Sequence, residues 1–112
     1  MLDVLLGVIK VKNLLFEVST PIGFKIRTTE SYWKLIESKH PEVTGKILLA
    51  KSTLKMPDVI RRSKADKSVY LFYKKINGYW ICVIAKCIVK DGFVITVYLT
   101  DKIKEGIKIW PN

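Results

Sequence analysis

Residues 69–100, VYLFYKKINGYWICVIAKCIVKDGFVITVYLT, constrain this chain more than any other stretch. Three runs rich in β-branched and aromatic residues are separated by Asn-Gly and Asp-Gly, the dipeptides that most readily form tight hairpin turns. The pattern predicts an antiparallel meander of three strands, VYLFYKKI, YWICVIAKCIVK and FVITVYLT, with turns at "NG" and "DG". A half-buried sheet of this kind needs a covering layer on its apolar face, and helices are the usual solution.

The upstream sequence supplies that layer. In TTESYWKLIESKH, Thr29 suits a helix N-cap and Glu30 places a negative charge in the first turn. Trp33, Ile36 and His40 then share one helical face, and Pro41 ends the helix by pushing His40 away from α geometry. Pro41 also suits the first position of a second helix, PEVTGKILLAKSTL, with Val43, Ile47, Ala50 and Leu54 as its apolar stripe. KMPDVIRRSKADKS reads as a helical turn followed by a polar loop. At the N-terminal end, LDVLLGVIKV and NLLFEVS read as two strands, and GFKIRTT as a third short one; the first ten residues also suit a short helix. With no repeat or linker, the 112 residues are expected to form a single domain, 1–112, of the α+β class: an antiparallel sheet with two helices from the N-terminal half packed on one face.

Charge says more about partners than about fold. The net charge is +10, and residues 46–75 carry nine basic and two acidic side chains, so seven of the ten net charges lie there. A polyanion is the natural counterpart, with solvated surface as the plainer explanation. Tyr70, Phe72 and Tyr73 adjoin this stretch, and aromatics beside cations suit stacking on unpaired bases. Arg61 and Arg62 form the best phosphate clamp on offer, and Lys74 and Lys75 belong to the same basic stretch. Cys82 and Cys87 fall in one strand roughly 16 Å apart, beyond disulfide reach, and read as buried thiols of a reducing compartment. The apolar N-terminal stretch is interrupted by Asp3, Lys10, Lys12 and Glu17, short of the ~20 residues a membrane span needs, so a cytoplasmic protein with no membrane partner is expected.

Two features of the strands are unusual. Strict alternation along the last strand puts Phe93, Ile95, Val97 and Leu99 on one face and Val94, Thr96, Tyr98 and Thr100 on the other. The second face is polar enough either to be solvated or to line a cleft. Lys86 breaks the apolar run WICVIAKCIV. It either snorkels to the sheet edge or meets an anion in a partly dry cavity.

The chain has no glycine-rich phosphate loop, no metal-ligand cluster and no recognisable Ser/His/Asp context, so neither a cofactor nor a metal is expected. The residues available for chemistry are one histidine, lysines, arginines and hydroxyls. That set suits RNA cleavage by the substrate's own 2′-hydroxyl, which needs only proton transfer and stabilisation of a charged phosphorane.

The segments YWKLIESKHPEV, TLKMPDVIRRS, VYLFYK, WICVIAK and GFVITVYLTD, spanning roughly residues 30–101, resemble in order the small toxin-like members of the barnase/EndoU/colicin/RelE-like ribonuclease superfamily. The shared features are a helix ending in "HP", a "P-D-x-I" segment and a last strand reading "T-x-Y". The resemblance implies a barnase/RelE-like fold and a metal-independent endoribonuclease with RNA as substrate; its toxin–antitoxin-associated members add the role of a toxin, with a small acidic antitoxin-like protein as partner. It makes His40, Lys86, Thr96 and Tyr98 the catalytic set: His40 as general base or acid, Lys86 and an arginine neutralising the phosphorane, Thr96 and Tyr98 orienting the phosphate. Arg61, Arg62 and Ser63 become the basic segment after "PD".

Two other readings fit the same residues: a nucleic-acid-binding module without chemistry, and a basic interaction protein that docks an acidic partner. The plainer reading of His40 is a residue that ends its helix and packs beside Trp33 and Ile36. The catalytic reading requires His40, Lys86, Thr96 and Tyr98 to converge around one phosphate.

Overall fold

Strand pairing fixes which face of the sheet each described strand residue takes. The computed structural model describes residues 14–103 and 106–112; the expected first strand, LDVLLGVIKV, lies outside them. The described elements run β1 (Leu14–Ser19), β2 (Lys25–Thr29), α1 (Glu30–Lys39), a 3-10 turn at Pro41–Val43, α2 (Ile47–Lys55), β3 (Val59–Arg62), β4 (Val69–Ile76), β5 (Tyr79–Ile88), β6 (Asp91–Thr100) and β7 (Ile107–Trp110). The strands form one seven-stranded sheet in the order β1-β2-β6-β5-β4-β3-β7. All neighbours are antiparallel except β2 and β6, which run parallel. The class is α+β as expected, with a larger sheet and one parallel pair that the meander alone did not imply.

The meander forms, but only one of its turns lies where expected. Asn77 and Gly78 both have positive φ (35° and 91°), as a two-residue hairpin turn requires. The second turn is Val89-Lys90, because Ile88 pairs with Asp91, and Val89 takes the positive φ of 61°. Asp91-Gly92 therefore belongs to β6. Gly92 serves close approach instead of turning: a Cβ there would lie 2.7 Å from Ile26 Cδ1 and 2.8 Å from the Lys86 carbonyl oxygen.

Strict alternation fails once in β6. Ile84 pairs with Thr96, but Ala85 pairs with Val94, so Ile95 is an extra, bulged residue. Val94 is thereby moved onto the core face with Val97 and Leu99, while Phe93 joins Thr96 and Tyr98 on the other. The core face packs on both helices: Trp33, Ile36, Ala50 and Leu54 share one cluster with Ile26, Ile60, Phe72, Val83, Val94 and Val97. A smaller cluster on the opposite face joins Leu71, Tyr73 and Cys82 with partly buried Trp80, Ile84, Tyr98 and Ile103. Cys82 and Cys87 are buried and not joined in a disulfide, and burial pushes Cys87 up to about 12.

Helix α1 begins as expected, with the Thr29 hydroxyl accepting from the Tyr32 N–H at 3.2 Å. It ends at His40, whose φ of −131° and ψ of 74° leave the helical region ahead of Pro41. The second helix does not start at Pro41. The chain makes a 3-10 turn there, Gly45 breaks it at φ 76°, and α2 starts at Ile47. The expected helical turn around "PDVIRRS" is instead the strand β3. Tertiary pairing decides it: the Asp58 N–H donates to the Tyr73 carbonyl, and the Asp58 carboxylate accepts from the Lys75 N–H, both at 2.8 Å.

Parallel pairing of β2 with β6 is short. Lys25, Ile26 and Arg27 lie opposite Asp91, Gly92 and Phe93; β2 then gives way to α1 at Glu30. From Val94 onward β6 has no strand neighbour on that side among the described residues. The end of α1 and the 3-10 turn lie along this free edge. Among the described residues no helix is long and apolar enough to cross a membrane.

Candidate active site at the free edge of β6

Helix α1 brings Tyr32, Leu35, Ile36, Lys39 and His40 against Ile95 and Thr96, and these residues line a pocket of about 300 Å³. The Tyr32 hydroxyl donates to the Ile95 carbonyl at 2.7 Å, so the bulged residue's free acceptor is met by the helix. Pro41 turns the chain so that Glu42 comes back beside His40, with Oε2 3.5 Å from the imidazole Nδ1. Both side chains are roughly one-third exposed. The 3.5 Å separation is an ion-pair distance and not a hydrogen bond, and it sets the carboxylate on the Nδ1 side of the ring.

The His40 and Tyr98 rings lie 6.0 Å apart, centroid to centroid, tilted by 40°. The phenol oxygen of Tyr98 is buried. Its pKa is driven upward, first by that burial and then by the neighbouring Cys82 and Tyr73, its lateral companions across β5 and β4. Tyr98 thus offers His40 its ring, while its hydroxyl faces the second core cluster. Of the expected four, His40, Thr96 and Tyr98 come together.

Lys86 does not join them. It is held 3.3 Å from Asp66 and lines a separate pocket with Arg27, Ile88, Asp91 and Phe93. Along β5 it is four residues, about 13 Å, from Cys82, the residue paired with Tyr98. Asp66 accepts from the Ser68 hydroxyl at 2.6 Å and the Ser68 N–H at 2.9 Å; these bonds, with Lys86 behind them, hold its pKa down at about 2. The cation lining the His40 pocket is Lys39.

The expected phosphate clamp is not assembled either. Arg61 and Arg62 are successive residues of β3, paired with Leu71 and Tyr70, and so point to opposite faces. Three strand spacings, about 14 Å, separate β3 from β6. Arg61 donates to the Gly106 carbonyl at 3.3 Å. The Ser63 hydroxyl accepts from the Ala65 and Asp66 N–H groups and shapes the β3–β4 loop. Lys74 donates to the Met56 carbonyl at 2.8 Å, and Lys75 stands 4.9 Å over the Trp80 ring. The basic stretch is therefore spread over both faces and several elements.

Sequence reasoning missed Glu42 and Lys39. Their signal was adjacency: K-H-P-E is continuous, and a proline turn after a helix-ending histidine can fold the following acid back onto it. Protein-family models, curated proteins and solved structures give no match to this chain.

Proposed function

We propose that this chain is a metal-independent endoribonuclease of barnase/RelE-like fold whose centre is His40, with Glu42, Lys39 and Thr96 around it. The observation that carries the reading is His40 at the edge of a pocket it lines with Lys39 and Thr96, with Glu42 3.5 Å from its Nδ1. In this scheme Nε2 of His40 takes the proton from the 2′-hydroxyl as it attacks the adjacent phosphorus. Glu42 faces the Nδ1 side of the ring, 3.5 Å away. Lys39 stabilises the charge developing on the phosphorane, the part first expected of Lys86, and Thr96 hydrogen-bonds a non-bridging oxygen. Tyr98 packs beside the imidazole. The P–O5′ bond breaks as the leaving oxygen takes a proton from water, and the imidazolium gives its own to the hydroxide left behind, so the products are a 2′,3′-cyclic phosphate and a 5′-hydroxyl. The +10 net charge supports RNA as substrate and a small acidic protein as a neutralising partner.

The test is cleavage of a mixed RNA pool in EDTA by the wild type and by His40→Ala. Loss of the acid–base group should cost roughly 10²- to 10⁴-fold, and 2′-deoxy substitution at a cleavage position should block cutting there. Intact RNA with the wild type across pH and salt would overturn the proposal.

A binding module without chemistry is the second reading. It is favoured by the half-exposed Phe93 on the same sheet face as Lys86 and Arg27. RNA binding that weakens steeply with salt while the RNA stays intact would select it.

A further inference from the structure

Next to the His40 pocket, at the point where β2 leaves β6, lies a second crevice of about 300 Å³ lined by Arg27, Thr28, Thr29, Tyr32, Phe93 and Val94. Tyr32 borders both spaces, so the two abut along the groove between α1 and β6. The lining is mostly apolar. Phe93 is 49% exposed, large for an aromatic residue in a strand, whereas Val94 beneath is buried. Tyr32 is fixed by its bond to the Ile95 carbonyl, so two aromatic side chains of different strand and helix origin flank one slot.

Polar groups in this crevice are few and unusual. Thr28 is 4% exposed, and its hydroxyl has no hydrogen-bond partner among the described residues; the same holds for Arg27 Nε. Buried groups of this kind are normally satisfied, because leaving them unpaired costs about 1–3 kcal/mol each. The charge of Arg27 is already compensated: its NH2 lies 3.2 Å from Glu17 and 3.1 Å from Asp91. A phosphate would face one cation already held between two acids, an unfavourable balance. A neutral, flat, hydrogen-bonding ring meets none of that repulsion.

We propose that this crevice seats one unpaired nucleobase of single-stranded RNA, its ring against Phe93 and Tyr32 and its polar edge on Thr28 and Arg27. The inference deepens the ribonuclease reading and rests on it for what happens to the strand alongside: the phosphate adjoining the seated base lies toward Lys39 and His40. Base–aromatic stacking is sequence-tolerant, and the two unpaired polar groups supply a preference.

The experiment measures anisotropy of fluorescein-labelled eight-nucleotide oligo(A), oligo(C), oligo(G) and oligo(U), plus an abasic chain of equal length, in a His40→Ala background. Phe93→Ala should weaken binding of the preferred oligonucleotide by roughly 5- to 150-fold, the range for one lost base–aromatic stack, and leave the abasic chain unchanged. Thr28→Val, close in shape but without the hydroxyl, should flatten the preference among the four. Phe93 is half exposed, and unaltered circular dichroism and melting of both variants secure the comparison. If both variants bind all five chains as the parent does, the crevice proposal is overturned, whatever the wild type cleaves. Weakened binding by Phe93→Ala with no cleavage by the wild type would keep the crevice and remove the nuclease.

Discussion

Glu42 and His40 face each other across Pro41, the carboxylate oxygen 3.5 Å from Nδ1 of the ring. An ion pair this exposed contributes only about 0–1 kcal/mol to stability, so its value to the protein is better sought in how it sets the imidazole. Glu42→Gln should lower RNA cleavage roughly tenfold or more, a part of the full acid–base contribution, while its melting temperature stays near that of the wild type. Glu42→Asp should restore part of the rate. Equal rates for all three proteins would remove Glu42 from the mechanism.

Gly92 is the tightest point of the parallel strand pair. An added methyl group would press on Ile26 Cδ1, on the Lys86 carbonyl and, at 2.9 Å, on Cys87 Sγ. The side chains can shift, but the carbonyl belongs to β5 and is held in the sheet. Gly92→Ala should therefore destabilise by about 1–3 kcal/mol, the range for overpacking a filled site, seen as a lower urea midpoint with an unchanged slope. A midpoint equal to the wild type would show that the β2–β6 junction yields easily.

Asp66 provides a pH-dependent contribution. Its pKa is about 2 in the folded chain, against an ordinary 3.8, because the Ser68 hydroxyl and N–H and the Lys86 ammonium favour the carboxylate. Between those values the unfolded chain binds more protons than the folded one, so stability rises with pH through that window. The stabilisation is fully present above the ordinary value and lost as pH falls toward about 2. Asp66→Asn should be slightly less stable than the wild type near neutrality, the gap closing by about pH 2; urea melts across that range measure it. Asp66 is solvent-exposed, so the effect is small, and a gap that persists undiminished in acid would assign it to a lost hydrogen bond and not to charge.

What could be read from the sequence follows the range of the interactions involved. The limits of α1 were legible because its signals are local: Thr29 caps it and Pro41 ends it. The Asn77-Gly78 turn was legible for the same reason. Val89-Lys90 was not, because the glycine after it is kept for packing against Ile26, a contact between residues far apart in the chain. The Ile95 bulge was invisible to a strict two-residue period, and it moved Val94 to the core and Phe93 to the open face. β3 was missed because its pairing with β4 overrides a weak local pattern. The nearness of His40, Thr96 and Tyr98 follows from helix ending and strand position, which are local signals. Lys86, odd in its apolar run, is met by Asp66, in a loop that no local signal positions.

The parallel join between β2 and β6 links residues as far apart as Arg27 and Asp91, 64 positions along the chain. While the polypeptide is being made, His40 leaves the ribosome long before Thr96 exists. Vectorial synthesis therefore delays assembly of the pocket until β6 has emerged. If the proposed ribonuclease reading holds, a ribosome making this chain is spared its activity for as long as β6 remains untranslated.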